Sequence, residues 1–459
     1  MMLISQAAKA LRVQHEGADV RFTAVSTDTR SIRTGDLFIA LKGEHFDGAR
    51  FVAQAMQAGA VAAVVNADSV VENAPCPLLR VPDTRIALGQ LAAHWRAQFD
   101  IPLVAITGSN GKTTVKEMLA AILRAATGDE ESVLATQGNF NNDIGMPLTL
   151  LKLRATHRYA VIEMGMNHAK EIDYLTRIAR PDVALVNNAA GAHLQGLGSV
   201  EGVARTKGEI FAGLVNGGTA VINADDAYAA LWRTLAGKHR VFDFALEHTA
   251  AVKGEWMAQE YGGVLQARTP AGELRVELKV PGEHNARNAL AAATAALALQ
   301  VPLATVVKAL QGFGGVAGRL QRKQALHGAT LIDDTYNANP ASMRAALEVL
   351  AQAKGKHIFV LGDMGELGED AARLHREIGI AARELGVGKM FALGTLSEQA
   401  VREFGAGARH FADIDELHAA LEKELDAQTT VLVKGSRFMK MERVVQFCAL
   451  HKEETCCSH

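Results

Sequence analysis

The segment TGSNGKTT, residues 107–114, joins an apolar run, LVAIT (103–107), to a stretch with helical spacing from 112 to about 126. Strand, glycine turn and helix in that order make a phosphate loop. Gly108 and Gly111, with Asn110 between them, let backbone N–H groups turn toward phosphate oxygens. The helix that starts at Lys112 adds the positive end of its dipole. The Lys112 ammonium can reach β and γ phosphates, and the Thr113 hydroxyl, with Thr114 beside it, can ligate Mg²⁺. The spacing departs from the strict G-x-x-x-x-G-K-[ST] pattern, since position 106 is Ile and the first glycine falls at 108. A plain strand-to-helix turn would use the same glycines. The context weighs toward a nucleotide, without saying whether kinase, switch or ligase.

Other residues could do chemistry, and each has an ordinary reading beside it. Glu163 ends the apolar run YAVIE (159–163), where an acid facing a nucleotide suits a Mg²⁺ contact and a plain strand-end charge looks the same. His193 lies in a Gly-rich loop, and a lone loop histidine is usually just solvated. Lys207, in TKGEI, reads by pattern as part of a solvated helix face. Asn285 and Asn288 open an alanine-rich helix, where Asn caps well. Arg319 follows the glycine break GFGGVAG (312–318) and reads alone as a surface charge. Asp334 follows a strand, as the acid that holds ribose hydroxyls does in dinucleotide folds. Tyr336, Asn337 and Asn339 crowd the next turn, and Pro340 opens a helix. Lys434, Ser436 and Arg437 sit at the end of the last strand, where they could meet a carboxylate.

These residues need a scaffold, and the chain alternates strand and helix signals almost throughout. Short strands at 37–41 and 61–65 flank a helical stretch at 50–58. The stretch ending at Asp83, with Pro75, Pro77 and Pro82, reads as a linker after a strand. A helix follows at about 84–98. Strands at 103–107, 159–163, 183–187 and 219–222 alternate with helical patterns, which predicts a parallel sheet covered on both faces. The region 240–281 reads as short strands with Gly turns, an antiparallel extension, before an alanine-rich helix at about 285–299. A further β/α series has strands at 329–333, 357–361, 389–393 and 429–433. The fold class expected is α/β in three domains. These are a small N-terminal α/β domain (1–83), a central phosphate-loop domain with a parallel sheet (84–315), and a C-terminal Rossmann-like domain (316–459).

Several motifs together resemble the ATP-dependent Mur ligases. They are TGSNGKTT, TQGNFNNDIGMPLTLL (136–151), EMGMNHAKEI (163–172), ARTKGEIF (204–211), NADD (223–226) and GEHNARNALAA (282–292). STDTR (26–30) and LKGEHFDG (41–48) extend the likeness into the first domain, so it covers essentially the whole chain. IDDTYNANPASM (332–343), LGDMGELG (361–368) and VLVKGSR (431–437) are most similar to the branch that adds D-alanyl-D-alanine to UDP-N-acetylmuramoyl-tripeptide. The Asp-Asn-Pro-Arg motif of the branch that adds a single third amino acid is absent.

The resemblance implies an amide ligase of peptidoglycan precursor synthesis that uses ATP and Mg²⁺. The first domain would hold the UDP-sugar, the second ATP and the third the incoming amine. It implies Mg²⁺ contacts from His193 and from Lys207 as a carbamate, which an unmodified ammonium could not make. It places Asn288 on the adenine, Arg319 on the ATP phosphates, Asp334 on the ribose, and Asp28, Thr29 and Arg30 at the uridine end. Tyr336, Asn337, Asn339, Lys434, Ser436 and Arg437 would surround the dipeptide. Closure of the domains on the glycine run 312–318 is expected. A folylpolyglutamate-type ligase would share the ATP domain but not a UDP-binding leader with DTR. A GTPase switch would carry an Asn-Lys-x-Asp guanine motif, which is absent.

Composition excludes other classes. Lys plus Arg number 48 and Asp plus Glu 50, so a net charge of −2 offers no footprint for nucleic acid or an acidic membrane surface. No apolar run approaches the ~20 residues that span a bilayer, and the N-terminus lacks a signal-peptide pattern. Cys76, Cys448, Cys456 and Cys457 have no metal or disulfide-framework spacing and read as reduced thiols. A cytoplasmic monomer that neither binds nucleic acid nor inserts in membranes is expected.

Overall fold

The computed structural model describes residues 1–43, 46–71, 76–191 and 197–449. Three main sheets follow one another along the chain, giving the expected α/β class in three domains. The first has five strands in the order His15–Glu16, Leu78–Val81, Ala62–Asn66, Asp36–Ile39, Ala24–Ser26. The stretch expected as a linker before Asp83 therefore carries a sheet strand, Leu78–Val81, three of whose four residues are buried. Pro77 and Pro82 stand just outside it, so the residues that lack an N–H bound the ladder instead of interrupting it.

The second sheet has nine strands, and its order places the phosphate loop. Leu103–Thr107 lies between Tyr159–Glu163 and Val183–Val186, parallel to both. Ile106 pairs with Glu163 and Thr107 with Val186. Gly108, Glu163 and Asn187 thus emerge together at the carboxyl edge, where α/β sheets bind ligands. The antiparallel extension begins later than the sequence suggested. Arg240–Ala245 and Val252–Gln259 both continue the parallel sheet, and the antiparallel pairings are only those of Gly262–Thr269 with its two neighbours, Val252–Gln259 and Gly272–Leu278. Gly turns signal a reversal of direction wherever they fall, so the sequence could not separate the two parts.

The third sheet has six strands in the order Gln321–Gln324, Thr330–Asp334, Thr429–Lys434, Lys356–Gly362, Lys389–Leu393, Ala408–Phe411. Its two edges were not expected. Gln321–Gln324 (QRKQ) has no apolar residue, and Ala408–Phe411 has only four residues. Asp334 and Lys434 are register partners at the carboxyl edge.

One helix, Thr84–Arg96, joins the first two sheets. Asp83 caps it by accepting from the N–H groups of Arg85 and Ile86. Its buried residues, Leu88, Leu91, Ala92 and Trp95 among them, belong to one continuous apolar core that runs from Met2 to Ala236. Trp95 donates to the Leu153 carbonyl (3.1 Å), and the buried Arg96 donates to the carbonyls of Ala179, Phe99 and Ile101. The third sheet has its own cores on its two faces, made of residues from Leu320 onward. Among the described residues no helix is long and apolar enough to cross a membrane.

Candidate active site

The phosphate loop is braced from below by asparagines that the sequence reading passed over. Asn188 accepts from the Asn110 N–H (2.8 Å), and the amides of Asn187 and Asn188 both donate to the Asn110 carbonyl. Asn187 also donates to Asn288 Oδ1 (2.9 Å), so the loop rests directly on the alanine-rich helix. A doublet of Asn at the end of an apolar strand next to the phosphate strand was the available signal. Gly111 has φ +80°, and a Cβ there would lie 2.3 Å from Asn288 Oδ1 and 2.6 Å from Asn187 Nδ2. Gly111→Ala is therefore expected to weaken ADP binding about tenfold or more, the effect of ~1.4 kcal/mol of strain. Calorimetric titration checks this, and unchanged affinity would detach the loop from nucleotide binding.

Lys112 begins the helix Lys112–Thr127, and its Nζ donates to the Gly108 carbonyl (2.7 Å), which holds the ammonium over its own loop. Burial holds this lysine below its usual range, Glu163 opposes that, and Arg319 adds to it. Thr113 Oγ1 donates to Glu163 Oε2 (2.8 Å) and accepts from Arg319 Nη2 (2.8 Å). Asn141 donates to the other carboxylate oxygen, Oε1 (2.8 Å), so Glu163 is fixed from both sides. Thr114 is buried beside them. The sequence thus spaced Thr113, Glu163 and Arg319 across more than 200 residues, and the fold brings them into one hydrogen-bonded row.

Lys207 corrects the local pattern reading. It is 1% exposed, not on a solvated face. Burial, and after it the Lys112 ammonium, push its pKa well below the lysine range, with Glu163 pulling the other way. The helix Val200–Gly208 turns Val203, Ala204, Thr206 and Lys207 inward, and the polar letters TKGE hid that. His193 lies outside the described residues.

Asn285 and Asn288 do not cap their helix. Its N-cap is Gly282, and both asparagines are buried further along, with Asn285 donating to the Pro281 carbonyl (2.8 Å). His284, unremarked in the sequence, is half-buried near Asp334 and Lys434, and its pKa is lowered to about 4, chiefly by desolvation.

The third domain brings its three motifs together. Lys434 Nζ pairs with Asp334 Oδ2 (2.5 Å) and donates to the Asn337 carbonyl (2.9 Å). Ser436 Oγ accepts from Gly365 N–H (2.8 Å), and the Ser436 N–H donates to the Asp363 carbonyl (2.9 Å). The Tyr336 ring lies under the Arg319 guanidinium, 4.3 Å from its centroid, with Arg437 at 5.9 Å. Asn337 is exposed. Asn339 caps the helix Pro340–Ala351, accepting from the Ser342 N–H (2.9 Å). Its Nδ2 reaches out of the domain to Asn110 Oδ1 of the phosphate loop (2.7 Å). In the first domain Asp28 and Arg30 pair with each other (2.7 Å) at the surface, with Thr29 between them, and Arg30 lowers the Asp28 pKa to about 2. No hydrogen bond among the described residues ties this pair to the other site residues.

Thr113 and Glu163 offer hard oxygens beside a phosphate loop, which fits Mg²⁺, an ion that takes one or two protein groups plus phosphate oxygens. Among the described residues no group of three or more His, Cys, Asp or Glu gathers into a metal cage.

Three family models match the chain. They are the Mur ligase family catalytic domain over 21–96, the Mur ligase middle domain over 106–296, and the Mur ligase glutamate ligase domain over 318–437. A relative from Escherichia coli (strain K12), named UDP-N-acetylmuramoyl-tripeptide–D-alanyl-D-alanine ligase, is 42% identical over 99% of both chains. The chain belongs to the Mur ligase family. Among solved Mur ligases, the crystal structure of MurF from Acinetobacter baumannii matches with a TM-score of 0.89, 38% identity and coverage of 96% of this chain and 97% of that one. MurF ligase from Thermotoga maritima, solved in complex with ADP, matches with a TM-score of 0.82, 27% identity and coverage of 92% and 96%. As a Mur ligase, this chain is an enzyme that forms carbon–nitrogen bonds.

Proposed function

We infer that this Mur ligase joins D-alanyl-D-alanine to UDP-N-acetylmuramoyl-tripeptide, with cleavage of ATP to ADP and phosphate. The observation that carries this reading is the row Arg319–Thr113–Glu163, which sets the phosphate loop against the Tyr336–Asn339 turn of the third domain. The names of the full-length relatives agree with it. In this reading ATP transfers its γ-phosphoryl to the tripeptide carboxylate. The dipeptide amine attacks the acyl phosphate, and phosphate leaves from the tetrahedral intermediate. The protein's part is positioning and charge neutralisation. Lys112 and Arg319 bring positive charge to the transferring group. Asn288 stands below the loop for the adenine, and Asp334, held by Lys434, for the ribose. Lys434, Ser436 and Arg437 face the dipeptide side, and Asp28, Thr29 and Arg30 the uridine end. Bound Mg²⁺ would neutralise phosphate charge, held by Thr113 and Glu163, with His193 and a carbamate on Lys207 supplying the second site. Such chemistry belongs in the cytoplasm, and the enzyme acts as a monomer that binds neither nucleic acid nor membrane.

The test is an ADP- and phosphate-release assay with purified enzyme. Turnover should require both the tripeptide substrate and D-alanyl-D-alanine. Substantial ATP cleavage with either one omitted would overturn the reading, as would equal turnover with single amino acids replacing the dipeptide.

A further inference from the structure

Asn339 divides its carboxamide between two domains. Its oxygen accepts from Ser342 N–H and caps the helix Pro340–Ala351, while its nitrogen donates to Asn110 Oδ1 at 2.7 Å. The Asn339 N–H in turn donates to Ser342 Oγ, so a reciprocal capping box fixes the side chain in place. The backbone that carries the acceptor is fixed as well, because three hydrogen bonds with Asn187 and Asn188 hold the Asn110 N–H and carbonyl. A fixed side chain and a residue with a fixed backbone, 229 residues apart in sequence, thus meet across the junction between the nine-stranded and six-stranded sheets. Among the described residues a second hydrogen bond, Arg319 to Thr113, also joins the phosphate loop's helix to the third-domain side, and Arg319 in turn lies over Tyr336.

From this geometry we propose that Asn339 is a positioning residue for the ligation step, which latches the amine-binding domain onto the phosphate loop. The inference rests on the ligase reading given above. The Asn339–Asn110 bond exists only when the third domain is docked on the loop. Its strength is therefore added to the docked arrangement and to no other. The docked arrangement is the one in which an amine held by the third domain can reach a carboxylate phosphorylated at the loop, and in which water is kept away. An interaction confined to that arrangement lowers kcat and kcat/KM together when it is removed, and leaves the KM for D-alanyl-D-alanine unchanged. A residue that touched the dipeptide directly would instead raise that KM.

Serine separates the latch from the cap. Asn339→Ser keeps an oxygen that caps as well as asparagine does, but its hydroxyl is too short to reach Asn110. With one net hydrogen bond lost, kcat is expected to fall about fivefold, with KM for the dipeptide and the melting temperature nearly unchanged. Asn110→Ala should lower kcat by at least as much, and adding Asn339→Ser to it should lower kcat no further, because the partner is already gone. Asn339→Ala, which also loses the cap, should add a drop in melting temperature. Normal kcat in Asn339→Ser would reduce the residue to a helix cap and overturn the proposal. So would a raised dipeptide KM, or effects of Asn339→Ser and Asn110→Ala that multiply. If instead the unaltered enzyme fails to release phosphate with both substrates present, the ligase reading fails and the latch goes with it.

Discussion

Lys112→Ala leaves an enzyme that folds normally and turns over roughly 10²- to 10³-fold more slowly, the loss seen when one pre-positioned charge-stabilising donor is removed. The physical case lies in the surroundings. Lys112 is held over the loop by the Gly108 carbonyl, and burial already disfavours its charge. A cation kept partly desolvated has few competing waters, so it acts strongly on a phosphoryl group that gains charge in transfer. Its removal leaves the Thr113–Glu163 bond in place, so the melting temperature should stay within a few degrees. Phosphate-release kinetics and circular dichroism check both halves. Turnover within tenfold of the unaltered enzyme would show that the loop does not do its work through this residue.

Lys207→Arg is expected to lose nearly all activity although it keeps a positive charge. The unaltered lysine is buried beside the Lys112 ammonium, and both burial and that neighbour favour its neutral amine. A neutral amine can add to CO₂, forming an N–C bond and releasing one proton, and the product is a carbamate anion. That anion replaces a repulsion from Lys112 with an attraction and offers oxygens suited to Mg²⁺. Arginine stays protonated at any usable pH and does not form the carbamate. Lys207→Ala should also be inactive, with partial recovery in added acetate or formate, which can enter the vacated space. Carbon-13 NMR of unaltered enzyme in labelled bicarbonate should show one carbamate signal that Lys207→Arg lacks. A fully active Lys207→Arg enzyme, or no such signal at saturating bicarbonate, would return Lys207 to an ordinary buried amine.

What the sequence made legible follows from the range over which each signal acts. The strand Leu103–Thr107 and helix Lys112–Thr127 came from local periodicity and a local turn. The edge strand Gln321–Gln324 could not, because four polar residues become a strand only through their antiparallel pairing with Thr330–Asp333. Lys207 looked solvated because its neighbours are polar, whereas its burial is decided by a helix packed against elements distant in sequence. The motif likeness pointed to Arg319 and Glu163, but only the fold shows both bonded to Thr113. Asn339 was placed beside the dipeptide, and a local sequence window cannot show that its amide crosses to Asn110. His284 had no local signal beyond residue type, and the Asn187–Asn188 brace only that of an Asn doublet at a strand end.

The helix Thr84–Arg96 has a consequence for how such a chain can change. It fuses the first two sheets around one apolar core, whereas the third sheet keeps cores of its own. In the proposed function, a substitution that repacks the half assigned to carboxylate activation is felt by the half assigned to the sugar nucleotide, because both draw on the same buried side chains. The third domain, proposed to hold the amine, shares no apolar core with the first two sheets. Its interior can be rewritten while its surface contacts are preserved, those at Asn110 and Thr113 together with the Lys354–Glu260 ion pair and Arg322 over the Tyr261 ring. With the domain roles proposed above, diversity in the incoming amine is the change this architecture accommodates with least disturbance, and a change of sugar carrier is the one it resists.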